Sequence, residues 1–257
     1  MKNGEHTLNQ TNKQEVKVAL VTGGARRIGA AIVTTLHQAG YKVVIHCRGG
    51  LKQAHDLAVN LNNIREDSAF ILPRELTEVE APQEMMQTII DWAGRLDLLV
   101  NNASIFTPDE CHSFNGEAWQ TLFDTNVKVP FALSLAAYPL LKKQRGVIIN
   151  ITDIHAEKPL KGYSAYCQSK AALNMQTESL AREFAPEVRV NAVAPGAIAW
   201  PENENSLSEE KQQQIINKTP LKQHGDPQFI AQAVLSLVDN PFITGQILRV
   251  DGGRSLN

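Results

Sequence analysis

Short apolar runs and amphipathic segments alternate along nearly the whole of this 257-residue chain. Runs rich in β-branched residues are typical of buried parallel strands, and apolar residues spaced three or four apart are typical of helices. The predicted strands are Val16–Gly24, Tyr41–Cys47, Ser68–Leu76, Leu96–Ser104, Gly146–Thr152, Val188–Gly196 and Gly245–Gly253. The predicted helices are Ile28–Ala39, Leu51–Ile64, Gln83–Ala93, Trp119–Leu141, Tyr163–Phe184 and Pro227–Leu237. This order predicts an α/β fold: a single-domain, Rossmann-type, doubly wound parallel sheet of about seven strands with helices on both faces.

Two segments stand outside this alternation. Residues 1–15 contain no apolar core, so we expect a disordered tail, rather than a secretory signal, before one catalytic domain at 16–257. Residues 197–225 are polar and follow the carboxyl end of a strand, the edge at which open α/β sheets bind ligands. They are predicted to form a substrate loop or lid, with a solvated surface excursion as the alternative.

Composition excludes several classes of function. The formal net charge of −2 provides no broad basic field, so no nucleic-acid partner is expected. Cys47, Cys111 and Cys167 are scattered, which predicts neither a disulfide framework nor a metal site, and free thiols are typical of the cytoplasm. No apolar run reaches the roughly 18 residues of a membrane span. The expected partner is a small molecule.

A glycine-rich loop, TGGARRIG at 22–29, joins the first predicted strand to the first predicted helix. Glycines let a phosphate approach backbone N–H groups closely, and the helix N-terminus adds a favourable dipole. The position of the loop favours dinucleotide binding over a purely structural turn. Arg27 stands where a third glycine is usual; it can donate to phosphate or to an anionic substrate group, or be merely an exposed arginine. The predicted cofactor contacts here are Thr22, Gly23, Arg26, Arg27, Ile28 and Gly29.

The end of the second strand distinguishes the two nicotinamide cofactors. An acidic residue about 20 positions after the glycine motif would accept a hydrogen bond from a free ribose hydroxyl. Here the sequence reads HCRGG at 46–50, and no acid occurs before Asp56. Arg48, with His46 beside it, is instead placed to pair with a 2′-phosphate. The sequence therefore predicts NADPH/NADP+ rather than NAD(H).

Tyr166 and Lys170 form a Tyr-x-x-x-Lys pair on a predicted helix, one turn apart on one face. A phenol is a poor acid or base at neutral pH, and a neighbouring ammonium is expected to lower its pKa. Lysine can also reach ribose hydroxyls, so Lys170 is predicted to serve both catalysis and cofactor binding.

Together, TGGARRIG, NNAS at 101–104, Asn126, Tyr166 with Lys170, and APG at 194–196 resemble the short-chain dehydrogenase/reductase family over roughly 16–253. The resemblance implies an NADP-dependent oxidoreductase that is usually a homotetramer. It implies that Asn126 shapes a catalytic water relay. It also implies that the cofactor is bordered by Asn102, Ala103, Pro195 and Gly196.

Two positions depart from the family pattern. Where the family has a serine about thirteen residues before the tyrosine, this chain has Asp153, although a one-residue slip would bring Thr152 into the site. The strand-three residue that touches adenine is commonly aspartate, whereas here Glu75 precedes Leu76, which makes Leu76 the predicted contact.

Asp153 together with Arg27 resembles the pteridine reductase branch of the family. That branch stacks the pterin ring on an aromatic residue at the position of Phe106, and Ser104 matches a residue that bonds pterin and cofactor phosphate. GAIAWPE, with Trp200, resembles the start of its substrate loop. The alternatives are core packing for Phe106 and a helix or turn cap for Asp153. The implied substrate contacts are Arg27, Ser104, Phe106, Asp153, Tyr166 and Trp200.

The leading hypothesis is therefore NADPH-dependent reduction of a dihydropterin or dihydrofolate to the tetrahydro form. In it, Asp153 and Tyr166 donate a proton and Lys170 holds the tyrosine and the ribose. The runner-up is reduction of another carbonyl substrate, such as a 3-oxoacyl thioester or a sugar ketone. A non-catalytic, cofactor-dependent regulatory protein is the third interpretation, and the intact Tyr166, Lys170 and Asn126 argue against it.

Overall fold

The computed structural model describes residues 16–109, 112–200 and 208–256, and in these ranges one parallel sheet contains seven strands. The strands are β1 (Val18–Val21), β2 (Lys42–Cys47), β3 (Ala69–Pro73), β4 (Leu98–Asn101), β5 (Val147–Ile151), β6 (Arg189–Pro195) and β7 (Ile247–Val250). Their order across the sheet is β3-β2-β1-β4-β5-β6-β7. The predicted fold class is thus confirmed.

Helices cover both faces of the sheet. They are α1 (Arg27–Gln38), α2 (Leu51–Ile64), α3 (Ala81–Ala93), α4 (Gly116–Phe123), α5 (Val129–Gln144), α6 (Ser164–Phe184), α7 (Glu209–Lys218) and α8 (Pro227–Asp239). One apolar cluster joins the sheet to α1, α2 and α8, and a second joins the opposite face to α3, α5 and α6. Because both faces are covered, β1, β4 and β5 are buried along their whole length, which explains their continuous apolar runs.

The winding direction reverses between β1 and β4, which pair in parallel with Val21 opposite Val100. Chain connections on the two sides of this point leave in opposite directions, so a crevice opens at the carboxyl ends of the two strands. The glycine-rich loop follows β1 and the NNAS segment follows β4, which brings both motifs to this crevice.

The predicted helix Trp119–Leu141 is divided, but not where its prolines suggested. A π-helical turn at Asp124–Lys128 separates α4 from α5, Pro130 lies in the first turn of α5, and α5 continues through Pro139. Proline is tolerated in a first helical turn because its missing N–H has no partner there in any case.

The predicted lid contains a helix that its polar sequence concealed. Within 197–225 the structure places α7. Its N-cap is Ser208, whose hydroxyl accepts a hydrogen bond from the N–H of Lys211. The lid residues 201–207 and the predicted tail, 1–15, lie outside the described residues. No helix in the described part of the chain is both long enough and apolar enough to cross a membrane.

Candidate active site

A cavity of about 790 Å³ lies along the carboxyl ends of the central strands. This volume suits a cofactor and a small substrate together. Residues from the loops after β1, β2, β3, β4, β5 and β6, from the start of α6 and from the turn after β7 line it. The crevice expected from the strand order is therefore lined by the loops at the carboxyl ends of the strands.

The glycine-rich loop is held in a conformation that accounts for its sequence. A Cβ atom on Gly29 would lie 2.1 Å from the carbonyl oxygen of Gly23, so no larger residue fits there. Arg27 has a φ of 53°, the left-handed region that favours glycine, which is why an arginine at this position is unusual. Helix α1 begins without a side-chain cap, so its first N–H groups are available to a phosphate.

Thr22 and Asn102 fasten the loop to the end of β4. The Thr22 hydroxyl accepts hydrogen bonds from the N–H groups of Asn102 (2.9 Å) and Ala103 (3.0 Å). In return, the side-chain amide of Asn102 donates to the carbonyl oxygens of Thr22 (2.8 Å) and Gly23 (3.1 Å). Thr22 is buried and does not border the cavity, so it positions the loop from behind.

His46 supports the same loop from the second strand. Its Nδ1 accepts from the N–H of Gly23 (3.1 Å), so Nε2 carries the proton that it donates to the carbonyl of Arg74 (3.0 Å). Burial lowers the pKa of His46, which favours the neutral ring that this arrangement requires. His46 borders the cavity, but both of its ring nitrogens are bonded to the protein.

Arg48 is exposed at the end of β2, and its guanidinium lies 3.7 Å from the carboxylate of Glu75. The side chain of Arg26 approaches the same corner, where its Nε would lie 3.5 Å from a Cβ atom placed on Gly50. Two guanidinium groups thus flank the start of α2, while Leu76 is buried beside them in the cavity wall. An anion such as a 2′-phosphate fits this corner and would compete with Glu75 for Arg48.

The catalytic side chains predicted from the sequence come together at the other end of the cavity. The Tyr166 hydroxyl donates to Oδ2 of Asp153 at 2.8 Å, and the Lys170 ammonium donates to the carbonyl of Ile151 at 3.0 Å. The second carboxylate oxygen of Asp153 accepts from the N–H of His155 at 2.8 Å. Asp153 therefore serves as a turn cap and as the partner of Tyr166 at once. Thr152, the alternative, directs its hydroxyl to the carbonyl of Val193 instead.

The electrostatics of this group differ from the sequence-based expectation. Burial raises the pKa of Tyr166 well above its ordinary value, and the neighbouring Asp153 carboxylate raises it further. Burial lowers the pKa of Lys170 to about 8, although the Asp153 charge opposes that shift. The expectation that Lys170 lowers the pKa of the phenol is therefore wrong, because a buried hydroxyl beside a carboxylate retains its proton.

Asn126 occupies the π-helical turn and is buried beneath the site. Its amide donates to the carbonyl of Ile105 (3.0 Å) and to the hydroxyl of Ser169 (3.2 Å), and its oxygen accepts from the N–H of Ile105 (2.9 Å). These bonds tie the NNASIF segment to α6. Asn126 does not border the cavity, and the water relay implied for it stays a prediction.

Aromatic rings form the wall on the substrate side. Phe106 stacks on Tyr163 with ring centroids 4.3 Å apart and meets the ring of Tyr166 edge-on at 4.8 Å. Trp200 stacks on His224 at 4.1 Å and so joins the two ends of the lid. Arg27 donates to the carbonyls of Ala199 (3.0 Å) and Trp200 (3.1 Å), which links the glycine-rich loop to the lid.

Apart from Thr22 and Asn126, every predicted site residue borders this one cavity, including Ser104, Ile28, Pro195 and Gly196. The sequence reasoning missed several lining residues: Thr77, Leu160, Tyr163, Ile198, Ile215 and Arg254. Tyr163 was within reach of prediction, because it lies only three residues before Tyr166, at the start of the predicted helix; in the structure it is the N-cap of α6. Arg254 carries no local signal, since it comes from the far end of the chain.

Fold and site together define an oxidoreductase that uses a nicotinamide dinucleotide and a tyrosine–lysine centre. Comparison with known proteins agrees: a family model described as enoyl-(acyl carrier protein) reductase matches residues 23–255. The chain belongs to the short-chain dehydrogenase/reductase family.

Two curated relatives show the breadth of the family. Glucose 1-dehydrogenase 2 of Bacillus subtilis is 32% identical over 246 residues, covering 93% of this chain and 95% of that protein. The 3-oxoacyl-acyl-carrier-protein reductase FabG of Staphylococcus epidermidis is 33% identical over 241 residues, covering 92% of this chain and 98% of that protein.

Among solved structures, the chain is similar to FolM alternative dihydrofolate reductase 1 from Brucella suis, determined in complex with NADP. The TM-score is 0.87 at 33% identity, and the match covers 94% of this chain and 96% of that one. The corresponding protein of Brucella canis, also complexed with NADP, has a TM-score of 0.85 at 33% identity, covering 94% of this chain and 95% of that one.

Proposed function

We propose that this protein catalyses the NADPH-dependent reduction of a pterin ring, taking a dihydropterin or dihydrofolate to the tetrahydro form. The observation that carries the proposal is the hydrogen bond from Tyr166 to the Asp153 carboxylate, 2.8 Å long. A carboxylate beside a carbonyl would repel the oxyanion that develops during its reduction. Beside a C=N group, by contrast, it stabilises the positive charge that accompanies protonation of the nitrogen.

The proposed cofactor is NADPH/NADP+. Arg48 and Arg26 would hold its 2′-phosphate, the uncapped start of α1 its pyrophosphate, and Lys170 its ribose hydroxyls. Gly196 leaves room for no side chain, because a Cβ atom there would lie 2.6 Å from that of Asp251. When bound, NADPH supplies the hydride.

The protein's own part in the reaction is to deliver and orient a proton. The raised pKa of Tyr166 keeps its hydroxyl protonated near neutral pH, and Asp153 fixes the direction of that hydroxyl. Tyr166 with Asp153 forms the proton-donating pair, and Lys170 and Asn126 complete the predicted catalytic set. Phe106, supported from behind by Tyr163, offers an aromatic face to a flat heterocycle. Ser104, Arg27 and Trp200 are the remaining proposed substrate contacts.

The similarity to FolM, whose name describes an alternative dihydrofolate reductase, supports this assignment. The similarity to FabG favours the second candidate, reduction of a 3-oxoacyl thioester or another carbonyl. The decisive experiment follows NADPH oxidation with dihydrobiopterin, dihydrofolate, a quinonoid dihydropterin and an acetoacetyl thioester. Turnover of a pterin that exceeds turnover of the thioester is expected. Reduction of the thioester alone would establish the second candidate.

We also propose that the protein is a homotetramer located in the cytoplasm. A groove lined by α4, α5 and α6 exposes Phe131 and Met175, and Leu135 is exposed one turn further along α5. This is the apolar surface expected of helices that pair across a two-fold axis. Light scattering at micromolar concentration should give the mass of a tetramer, and a monomeric mass would refute the assembly. Unpaired thiols at Cys47 and Cys167, within the described residues, agree with a reducing compartment.

A further inference from the structure

Arg254 brings a positive charge to the substrate end of the cavity. It belongs to the short turn that follows β7, and it lines the same cavity as Asp153, Tyr166 and Leu160. Its side chain is half-buried, and burial lowers the pKa of Arg254 whereas the carboxylates of Asp153 and Asp251 raise it. Arg254 therefore shares a cavity with the reacting centre.

The backbone of this turn is fixed on several sides. Asp251 accepts hydrogen bonds from the N–H groups of Gly253 (2.9 Å) and Ser255 (2.7 Å), and its own carbonyl accepts from the N–H of Arg254 (3.1 Å). The carbonyl of Arg254 in turn accepts from the Lys158 ammonium at 2.9 Å. A turn held in this way fixes the point at which the Arg254 side chain leaves the backbone.

The Arg254 guanidinium forms no hydrogen bond or ion pair with another of the described residues. Arg27 donates to two carbonyls of the lid, Arg48 faces Glu75, and Lys170 donates to the carbonyl of Ile151. Within the described ranges, by contrast, no carboxylate lies within the 4.0 Å of an ion pair to Arg254. A half-buried cation that keeps its hydrogen-bond donors unused in a ligand cavity is suited to bind an anion.

We infer that Arg254 binds a carboxylate of the substrate, so that the preferred substrate is a folate-type pterin with a carboxylated tail rather than a neutral dihydropterin. This inference rests on the proposed function and narrows it. The ring would be held at Asp153 and Phe106, and the guanidinium fork would pair with the carboxylate beyond the ring. Neutral pterins would share the ring contacts and lack the ion pair.

The test compares dihydrofolate with dihydrobiopterin in the wild type and in two variants. Arg254→Met removes the charge at similar length, and Arg254→Lys retains it. Arg249→Met is the matched control, because Arg249 lies five residues earlier, is exposed and pairs with Glu157 outside the cavity. Thermal melting and NADPH binding, measured on every variant, report on folding.

We expect Arg254→Met to raise the KM for dihydrofolate by about tenfold to about a hundredfold, the range for a lost charged hydrogen bond, and to leave the KM for dihydrobiopterin within about twofold. Arg254→Lys should recover part of the loss, and Arg249→Met should match the wild type.

Equal KM changes for both substrates, or an unchanged KM for dihydrofolate, would overturn the inference while leaving pterin reduction in place. A wild-type enzyme that reduces neither pterin would overturn the proposed function and the inference with it. Loss of kcat with both substrates and unchanged KM would show that Arg254 acts on Asp153 instead, and would likewise overturn the inference.

Discussion

Replacing Asp153 by serine tests the chemistry of the site most directly. The substitution removes the carboxylate that accepts the Tyr166 hydroxyl at 2.8 Å and restores the neutral hydroxyl that the family usually has at this position. A hydrogen bond to a charged group contributes about 1.5–3 kcal/mol. If that contribution is realised when the ring nitrogen is protonated, kcat for a dihydropterin should fall by about tenfold to about a hundredfold.

The fold should tolerate this change. Asp153 also caps the turn that follows it by accepting from the N–H of His155 at 2.8 Å, and a serine hydroxyl can accept the same bond. Loss of stability should therefore stay within about 1 kcal/mol, the usual scale for a cap substitution. Asp153→Asn is the matched control, because it keeps the size and the acceptor oxygen, loses the charge and supplies no hydroxyl.

The assay measures kcat and KM for dihydrobiopterin and for a simple activated ketone in all three proteins. Both variants should lose turnover with the pterin. Only Asp153→Ser should keep or improve turnover with the ketone, because its hydroxyl can donate to a developing oxyanion. Full pterin turnover in Asp153→Ser would show that the carboxylate has no part in protonation, and the reasoning would fail.

Three further predictions concern the cofactor and the catalytic pair. Arg48→Ala should raise the KM for NADPH while barely changing that for NADH, and equal effects on both would contradict the 2′-phosphate assignment. Tyr166→Phe should lower turnover by about a hundredfold or more with little change in NADPH affinity, as fluorescence titration would report, whereas retained turnover would locate the proton donor elsewhere. Because the folded pKa of Lys170 is about 8, below the ordinary 10.5, its ammonium is lost as pH rises through about 8. The kcat/KM for NADPH should therefore decline as pH rises past about 8. Between pH 8 and pH 10.5 the unfolded chain holds a proton on Lys170 that the folded protein has lost, so the contribution of Lys170 to the free energy of unfolding should rise across this range. A kcat/KM and a stability that are both constant across this range would refute the two expectations.

Much of the site was predictable because it is encoded locally. Tyr166 and Lys170 are one helical turn apart, so any helix through 164–184 places them together. Gly29 is required by a contact with Gly23 only six residues away. The spacing of apolar residues likewise predicted the alternation of strands and helices. When strands and helices alternate with short connections, few topologies other than a doubly wound sheet are possible.

Other features of the site could not be predicted from local sequence patterns. The π-helical turn that buries Asn126 and the helix α7 in the lid have no clear periodic signal in the sequence. The pKa of Tyr166 could not be inferred from its lysine neighbour alone, because burial and the orientation of Asp153 outweigh that charge.

The fold class, the dinucleotide loop and the Tyr166–Lys170 pair could be read from the sequence, because each follows from spacing along one strand, one turn or one helix. That Arg254 shares a cavity with Asp153 becomes visible once the chain is folded. Those two residues are distant in the chain, and they border one cavity because β5, β6 and β7 are neighbours in the sheet, with their carboxyl ends at one edge. Side-by-side pairing is fixed by the packing of both faces of the sheet, which no local pattern of residues contains.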